Sequence, residues 1–326
     1  MNKIQENIYI KGISSYVPQK MVSNDDLAKL VDTNDEWIYS HTGIKNRHIA
    51  DEHESTSDLA VAAIRKLLNT SGVDLSEIGG IIVATATSDY LGFPSTACVI
   101  QNKLGLDEIL AFDIAAGCTG FIYAINIAQS LMATNGTDNI IVVGAEKLSA
   151  ITDWSDRNTC VLFGDGAGVA LLGKGIHGQS KLIDSVLHAR GSGFDKLLIP
   201  SGGTHDRQGE NNHLHMDGRA VYTFAVKVVK EVILELLERN NLTVDEIDWI
   251  VPHQANLRII QAAAKRLSID ESKFFINIGH YANTSAASIP IALNDMIEQG
   301  LLKRGMKVLT VGFGAGLTYG GNLLQW

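Results

Sequence analysis

Cysteine is scarce, with three residues in 326 (Cys98, Cys118 and Cys160), and no Cys-x-x-Cys pair or His/Cys ligand spacing accompanies them. An odd, unpatterned set of thiols excludes a disulfide scaffold and a zinc framework, and suits a reduced cytoplasmic compartment. Positive charge is also short: 27 Lys and Arg stand against 36 Asp and Glu, for a net charge of −9. No block of five or six basic residues occurs, so the footprint of a nucleic-acid phosphate backbone is missing. No run approaches the ~18 uninterrupted apolar residues that a membrane helix needs. The first residues, "MNKIQENIYIKGISSYVPQK", mix charge with apolar side chains and do not make a basic start followed by an export signal's apolar stretch. Metal ligands are no better supported: His213 and His215 stand two apart without a third ligand, the spacing of solvated loop residues.

What is present is core. Hydrophobic residues make up 45% of the chain, enough for two ordinary domains or one large α/β unit. Apolar β-rich runs such as "IGGIIVATATS" (78–88) and "NIIVVGAEK" (139–147) alternate with amphipathic stretches such as "TSDLAVAAIRKLLNTSG". That alternation predicts a buried, largely parallel sheet covered by helices. The pattern then occurs a second time, in the same order. "SEIGGIIVATAT" (76–87) matches "DEIDWIVPHQAN" (245–256) at an offset of 169, "KLGLDEILAFDI" matches "RLSIDESKFFIN" at 163, and "NIIVVGAEK" matches "KVLTVGFGA" at 168. Two copies at so long a period predict two homologous halves, and not a solenoid. The boundary is placed between residues 178 and 179, in "LLGKGIHGQSK", with a polar, Gly-rich insertion at 191–218 reading as a loop or lid.

Under the repeat, "AAGCTGFIYAINIA" lies over "YANTSAASIPIALN", so the turn at Cys118 and the turn at Asn283 become pseudo-equivalent strand-to-helix junctions. Cys118 reads as the N-terminal residue of its helix, where unpaired amides and the helix dipole lower a thiol's pKa. Gly117 and Gly120 relieve crowding at the bend, which gives the mechanics of a nucleophile elbow. His253, in "IVPHQANLRI", falls just past an apolar strand, where parallel α/β sheets place ligand chemistry. A neutral imidazole and the Asn283 carboxamide are both uncharged donors, suited to an enolate or thioester oxyanion. Cys98 and Cys160 are left to the core. "VGFGAGLTYGG" (311–321) lacks the lysine and the spacing of a phosphate loop, and its glycines fit close approach of a backbone amide to a reacting carbonyl. "FGDGAG" (163–168) reads as packing.

Taken together, "NDDLAKLVDTNDEWIYSHTGIKNRHIA", "AFDIAAGCTGF", "FGDGAG", "VPHQANLRII", "NTSAASIPIAL" and "GFGAGLTYG" resemble the β-ketoacyl-[acyl carrier protein] synthase III enzymes of the thiolase superfamily over almost the whole chain. The resemblance implies a five-layered αβαβα fold of two pseudo-symmetric halves, a homodimer, and a Cys-His-Asn site carried here by Cys118, His253 and Asn283. It implies an acyl-CoA starter that acylates Cys118 and malonyl-acyl carrier protein as second substrate, with no cofactor, since CoA arrives as a substrate thioester. The amides of Cys118 and Ala315 would form the oxyanion hole. Trp37 and Arg157 match a pair that holds the CoA adenine, Thr33 lies in the matching segment, and His41 stands where the family usually has arginine. Phe93 matches a position that bounds the acyl pocket across the dimer. Carrier protein is acidic, so docking requires a local basic patch, which Arg258, Lys265 and Arg266 supply on one face of a helix. Two rival functions share these residues: a condensing enzyme for a secondary metabolite, and a non-catalytic thiolase-fold protein that binds CoA or carrier protein.

Overall fold

The computed structural model describes residues 8–175 and 180–326. Two sheets organise them. The first has five strands, β1 (Ile8–Tyr16), β2 (Gly80–Ala84), β3 (Leu110–Ile114), β4 (Asn139–Glu146) and β5 (Gly166–Lys174), in the order β1-β5-β4-β2-β3. Its β3, β2 and β4 run parallel, and β5 and β1 complete it antiparallel. The second sheet has four strands, β6 (Lys181–Ala189), β7 (Trp249–Pro252), β8 (Lys307–Gly314) and β9 (Thr318–Gln325), in the order β7-β8-β9-β6. Here β7 and β8 are parallel and the other pairs antiparallel.

The two strand orders correspond, with β2, β4, β5 and β1 of the first sheet in the same sequence as β7, β8, β9 and β6 of the second. The counterpart of β3 shrinks to one bridge between Ile250 and Phe274. The first sheet ends at Lys174 and the second opens at Lys181; the boundary read at 178/179 lies outside the described residues.

Helices fill three layers around the sheets, giving the five-layered α/β arrangement that the family resemblance implies. The first outer layer is α2 (Thr56–Ser71) and α3 (Thr96–Leu104), the middle layer α4 (Gly120–Asn135) and α7 (Ser288–Glu298), and the second outer layer α5 (Gly218–Arg239) and α6 (Leu257–Leu267). A further helix, α1 (Asp35–Thr42), packs beside α6. The period-2 rule for strands decides which side chain meets which layer. In β2 and β4, Ile81, Val83, Ile141 and Val143 face Leu59, Ile64 and Leu67 of α2. Their alternates Ile82 and Val142 join Ile122 of α4 and Ile289 of α7 in the central cluster, which also takes Val251 and Val308 from the second sheet. With both faces covered, β4 is buried at all eight positions, which is why it reads as a continuous apolar run.

Helix ends follow local rules. The backbone amide of Ser55 donates to Asp58 at the start of α2, and α2 closes at Gly72 with φ +69°. Ser95 accepts from the Cys98 amide at the start of α3. Cys98 corrects the sequence reading, because α3 turns Ala97 and Ile100 inward and leaves Cys98 exposed; Cys160 is buried as expected. The insertion at 191–218 departs from a simple polar loop. Leu197–Leu198 pairs with His215–Met216 as a short antiparallel ribbon, and Leu197 and Met216 line a cavity. Among the described residues no helix is long and apolar enough to cross a membrane.

Candidate active site

A cavity of about 270 Å³ lies where the two halves meet, and Cys118, His253 and Asn283 all line it. Cys118 sits in a single 3-10 turn, Gly117–Thr119, and the α-helix itself begins at Gly120. The helix reading of Cys118 is thus corrected by one turn, since the chain must first bend away from β3. Gly117 makes that bend at φ +51°, a conformation a side chain resists. A Cβ there would also lie 2.8 Å from the Ala315 amide nitrogen, and one on Gly314 would lie 2.5 Å from the Cys118 nitrogen. The two turns therefore pack backbone against backbone. The Thr119 and Thr318 hydroxyls lie 2.8 Å apart, and Thr318 Oγ1 is within hydrogen-bond reach of the carbonyls of Ala116 and Ala315, to one of which it donates, locking the junction.

His253 follows β7, with its amide donating to Val311 of the neighbouring strand at 2.7 Å. Its Nδ1 meets Ser288 Oγ at 2.7 Å, and the Phe313 ring stands edge-on at 5.5 Å. Burial pushes the imidazole down to about 3, so the ring is neutral at physiological pH. Asn283 is held through its own backbone, donating to the Leu162 carbonyl and accepting from the Gly164 amide. Its Oδ1 accepts from the Ser285 amide at 2.9 Å. With the carboxamide oxygen so engaged, the NH2 group is the part left for the cavity.

The thiol differs from the sequence expectation. Burial pushes Cys118 up to about 12, opposed by a Ser285 hydrogen bond, with the Glu146 carboxylate raising it further. Its residue surface stays partly open, yet desolvation dominates, and the resting group is a thiol. Glu146 ends β4 with none of its surface exposed. It accepts from Thr87 Oγ1 at 2.6 Å, Ser285 Oγ at 2.9 Å, the Ala86 amide at 3.0 Å and Thr85 Oγ1 at 3.2 Å. Burial raises its pKa against those donors. Sequence reasoning missed Glu146, Ser285, Ser288 and Phe313. The signal for Glu146 was an acid closing a wholly apolar strand in "NIIVVGAEK".

Around the mouth, Trp37 and His41 line the cavity and stack on each other at 4.5 Å. The Arg157 guanidinium lies 4.5 Å over the Trp37 ring. Thr33 and Arg157 are not part of the cavity wall, and the Thr33 hydroxyl is buried without a hydrogen-bond partner. Phe93 is also apart from the wall, 88% exposed near Leu91 and Tyr90. Arg258, Lys265 and Arg266 are exposed on α6, and Arg258 Nε donates to the Ser40 carbonyl at 2.9 Å. Asp165 of "FGDGAG" accepts from the amides of Ala50 and Ser149, the packing role expected of it.

Comparison with known proteins identifies the family. The family model "3-Oxoacyl-[acyl-carrier-protein (ACP)] synthase III" matches residues 112–191, and the model of that enzyme's C-terminal part matches residues 237–326. The β-ketoacyl-[acyl-carrier-protein] synthase III of Caldanaerobacter subterraneus is 48% identical, with 97% of each chain covered. The crystal structure of the Thermus thermophilus synthase III aligns with a TM-score of 0.92 at 43% identity, covering 98% of this chain and 99% of that one. The Aquifex aeolicus structure aligns at 0.91 and 42%, covering 98% and 100%. The chain belongs to the 3-oxoacyl-[acyl-carrier-protein] synthase III family, the condensing acyltransferases that initiate type II fatty-acid synthesis.

Proposed function

We propose that this chain condenses a short acyl-CoA with malonyl-acyl carrier protein through an acyl-Cys118 intermediate, yielding 3-ketoacyl-acyl carrier protein and CO2. The observation that carries this reading is the meeting of Cys118 from the first half with His253 and Asn283 from the second on one cavity. Sulfur attacks the thioester carbonyl, and the amides of Cys118 and Ala315 receive the oxyanion. CoA leaves, and malonyl-carrier protein enters. Loss of CO2 creates an enolate, which His253 and Asn283 stabilise by donating hydrogen bonds without bringing charge. The neutral imidazole and the tied carboxamide oxygen support that role. The enolate carbon then attacks the acyl thioester and releases the sulfur.

Trp37 and Arg157 would clasp the CoA adenine, with His41 backing the Trp37 ring and Thr33 nearby. Phe93 would close the acyl pocket of a second copy in a homodimer, and Arg258, Lys265 and Arg266 would meet the acidic carrier protein. No cofactor enters the reaction, and the cytoplasm, where free thiols persist, is its proposed location. The same reading divides the chain into halves at 178/179, each carrying one side of the site.

The deciding experiment is mass spectrometry after incubation with acetyl-CoA, followed by a panel of acyl-CoA starters with malonyl-carrier protein. An acetyl adduct that disappears in Cys118→Ala, and a 3-ketoacyl-carrier product, are expected. No adduct would leave only a binding protein, and an adduct without product from any short starter would move the chain to another condensation.

A further inference from the structure

Glu146 is a fully buried carboxylate whose place in the condensation is unassigned. It draws together two segments of different origin, Thr85–Thr87 after β2 and the turn that carries Asn283 and Ser285. Among the described residues no Lys, Arg or His pairs with it; the neighbouring Lys147 is engaged by the carbonyls of Asp51, Glu52 and Glu54. A buried acid without a cation is expensive to keep, and four donors on two oxygens are what hold it. One of those donors, Ser285, lines the same cavity as Cys118, on a turn that packs directly against the Cys118 turn. Ser285 also holds φ +49°, a strained position that glycine would occupy freely, and its hydroxyl donates to Glu146 at 2.9 Å. The remaining buried titratable group on the cavity, His253, has its Nδ1 occupied by Ser288.

We propose that Ser285 and Glu146 form a proton-relay arm of the condensing site, which removes the Cys118 proton during acylation and returns it after condensation. The proposal rests on Cys118 being the acylated nucleophile. In acylation the S–H bond breaks, the proton passes to Ser285 Oγ as the Ser285 proton passes to Glu146 Oε1, and sulfur bonds to the acyl carbon. The C–S bond to CoA breaks with its electron pair, and CoA thiolate takes a proton from water as it leaves. When the malonyl-derived carbanion captures the acyl group, the Cys118–acyl bond breaks. The released thiolate recovers its proton from Glu146 through Ser285. Glu146 acts through Ser285 and is a positioning residue, and its raised affinity for a proton suits a temporary acceptor.

Rapid-quench mass spectrometry of acyl-enzyme formation from acetyl-CoA, across mildly acidic to alkaline pH, tests this in wild type, Glu146→Gln, Ser285→Ala and Cys118→Ala. Glu146→Gln keeps shape but accepts no proton, so acylation at neutral pH should slow by about 10²-fold. The deficit should narrow as pH rises and hydroxide replaces the relay, and Ser285→Ala should reproduce both effects. If Glu146→Gln does not fold, Ser285→Ala decides, because it leaves the Thr85, Ala86 and Thr87 contacts in place. Folded variants that acylate at the wild-type rate, or with a lower melting temperature and an unchanged pH profile, overturn the relay. So does faster acylation in Glu146→Gln, which would mean the carboxylate acts on the thiol by charge alone. No adduct on wild-type Cys118 overturns the nucleophile assignment itself, a result distinct from equal rates.

Discussion

At Cys118 two effects pull the thiol in opposite directions. A helix N-terminus favours the thiolate by up to ~2 kcal/mol, or about 1.5 pKa units, whereas full burial can raise a thiol by about 3–5 units. Burial wins, and the group rests near 12. Iodoacetamide at neutral pH should therefore label exposed Cys98 before Cys118, by more than about tenfold in rate, with peptide mass spectrometry reading the order. His253 gives a pH prediction. Its folded value of about 3 lies below the ordinary 6.5, so the unfolded chain binds the extra proton between those values. Its contribution is intact above pH 6.5 and is lost as pH falls toward 3, by on the order of 1 kcal/mol per pH unit. Glu146, raised by burial, has the opposite sign and contributes less as pH rises above the carboxylate range. Denaturant unfolding at pH 7 and pH 5 should show the acid slope in wild type, and His253→Gln should flatten it.

Between elements, the site depends on the packing of the Cys118 turn against the end of β8. A Cβ at Gly314 would press within 2.5 Å of the Cys118 nitrogen, so one of the two turns has to move. Gly314→Ala should cut acyl-enzyme formation by about 10²-fold, with CoA affinity, measured calorimetrically, changed little, because Trp37 and Arg157 lie elsewhere. The docking role proposed for helix α6 is separable from the chemistry. Reversing Arg258, Lys265 and Arg266 to Glu should raise the KM for malonyl-carrier protein about tenfold or more and leave acylation by acyl-CoA unaffected. Equal KM values would remove this helix from docking. Local residue spacing made that basic face legible, whereas the Arg258–Ser40 contact that ties α6 to α1 joins residues 218 apart, which no local pattern displays.

For the whole molecule, the exposed surface asks for a partner. Leu91 and Phe93 are 85% and 88% exposed, with Tyr90 beside them at 55%, an apolar tip that solvent does not favour. A second copy covering it would agree with the proposed homodimer. Leu91→Asp combined with Phe93→Asp should shift sedimentation toward monomer and reduce condensation more than folding, as followed by circular dichroism.

The sequence alone determined the alternation of buried strands and amphipathic helices, because both leave periodic apolar patterns, but not the strand directions, since β1–β5, β5–β4, β8–β9 and β9–β6 pair antiparallel where a largely parallel sheet was expected. It also singled out Cys118 at a glycine-flanked turn, His253 past a strand end and Asn283 at the turn matching that of Cys118, three residues that line one cavity. Only the tertiary structure decided what surrounds them. The 3-10 turn at Cys118, the outward face of Cys98 and the apolar ribbon walling the cavity depend on which side of an element meets a neighbour. Glu146 and Ser285 are 139 residues apart and share a hydrogen bond, so their partnership exists only once the two halves close. The protonation of the site follows from the same closure, because desolvation depends on everything that excludes water and leaves no mark in the spacing of residues.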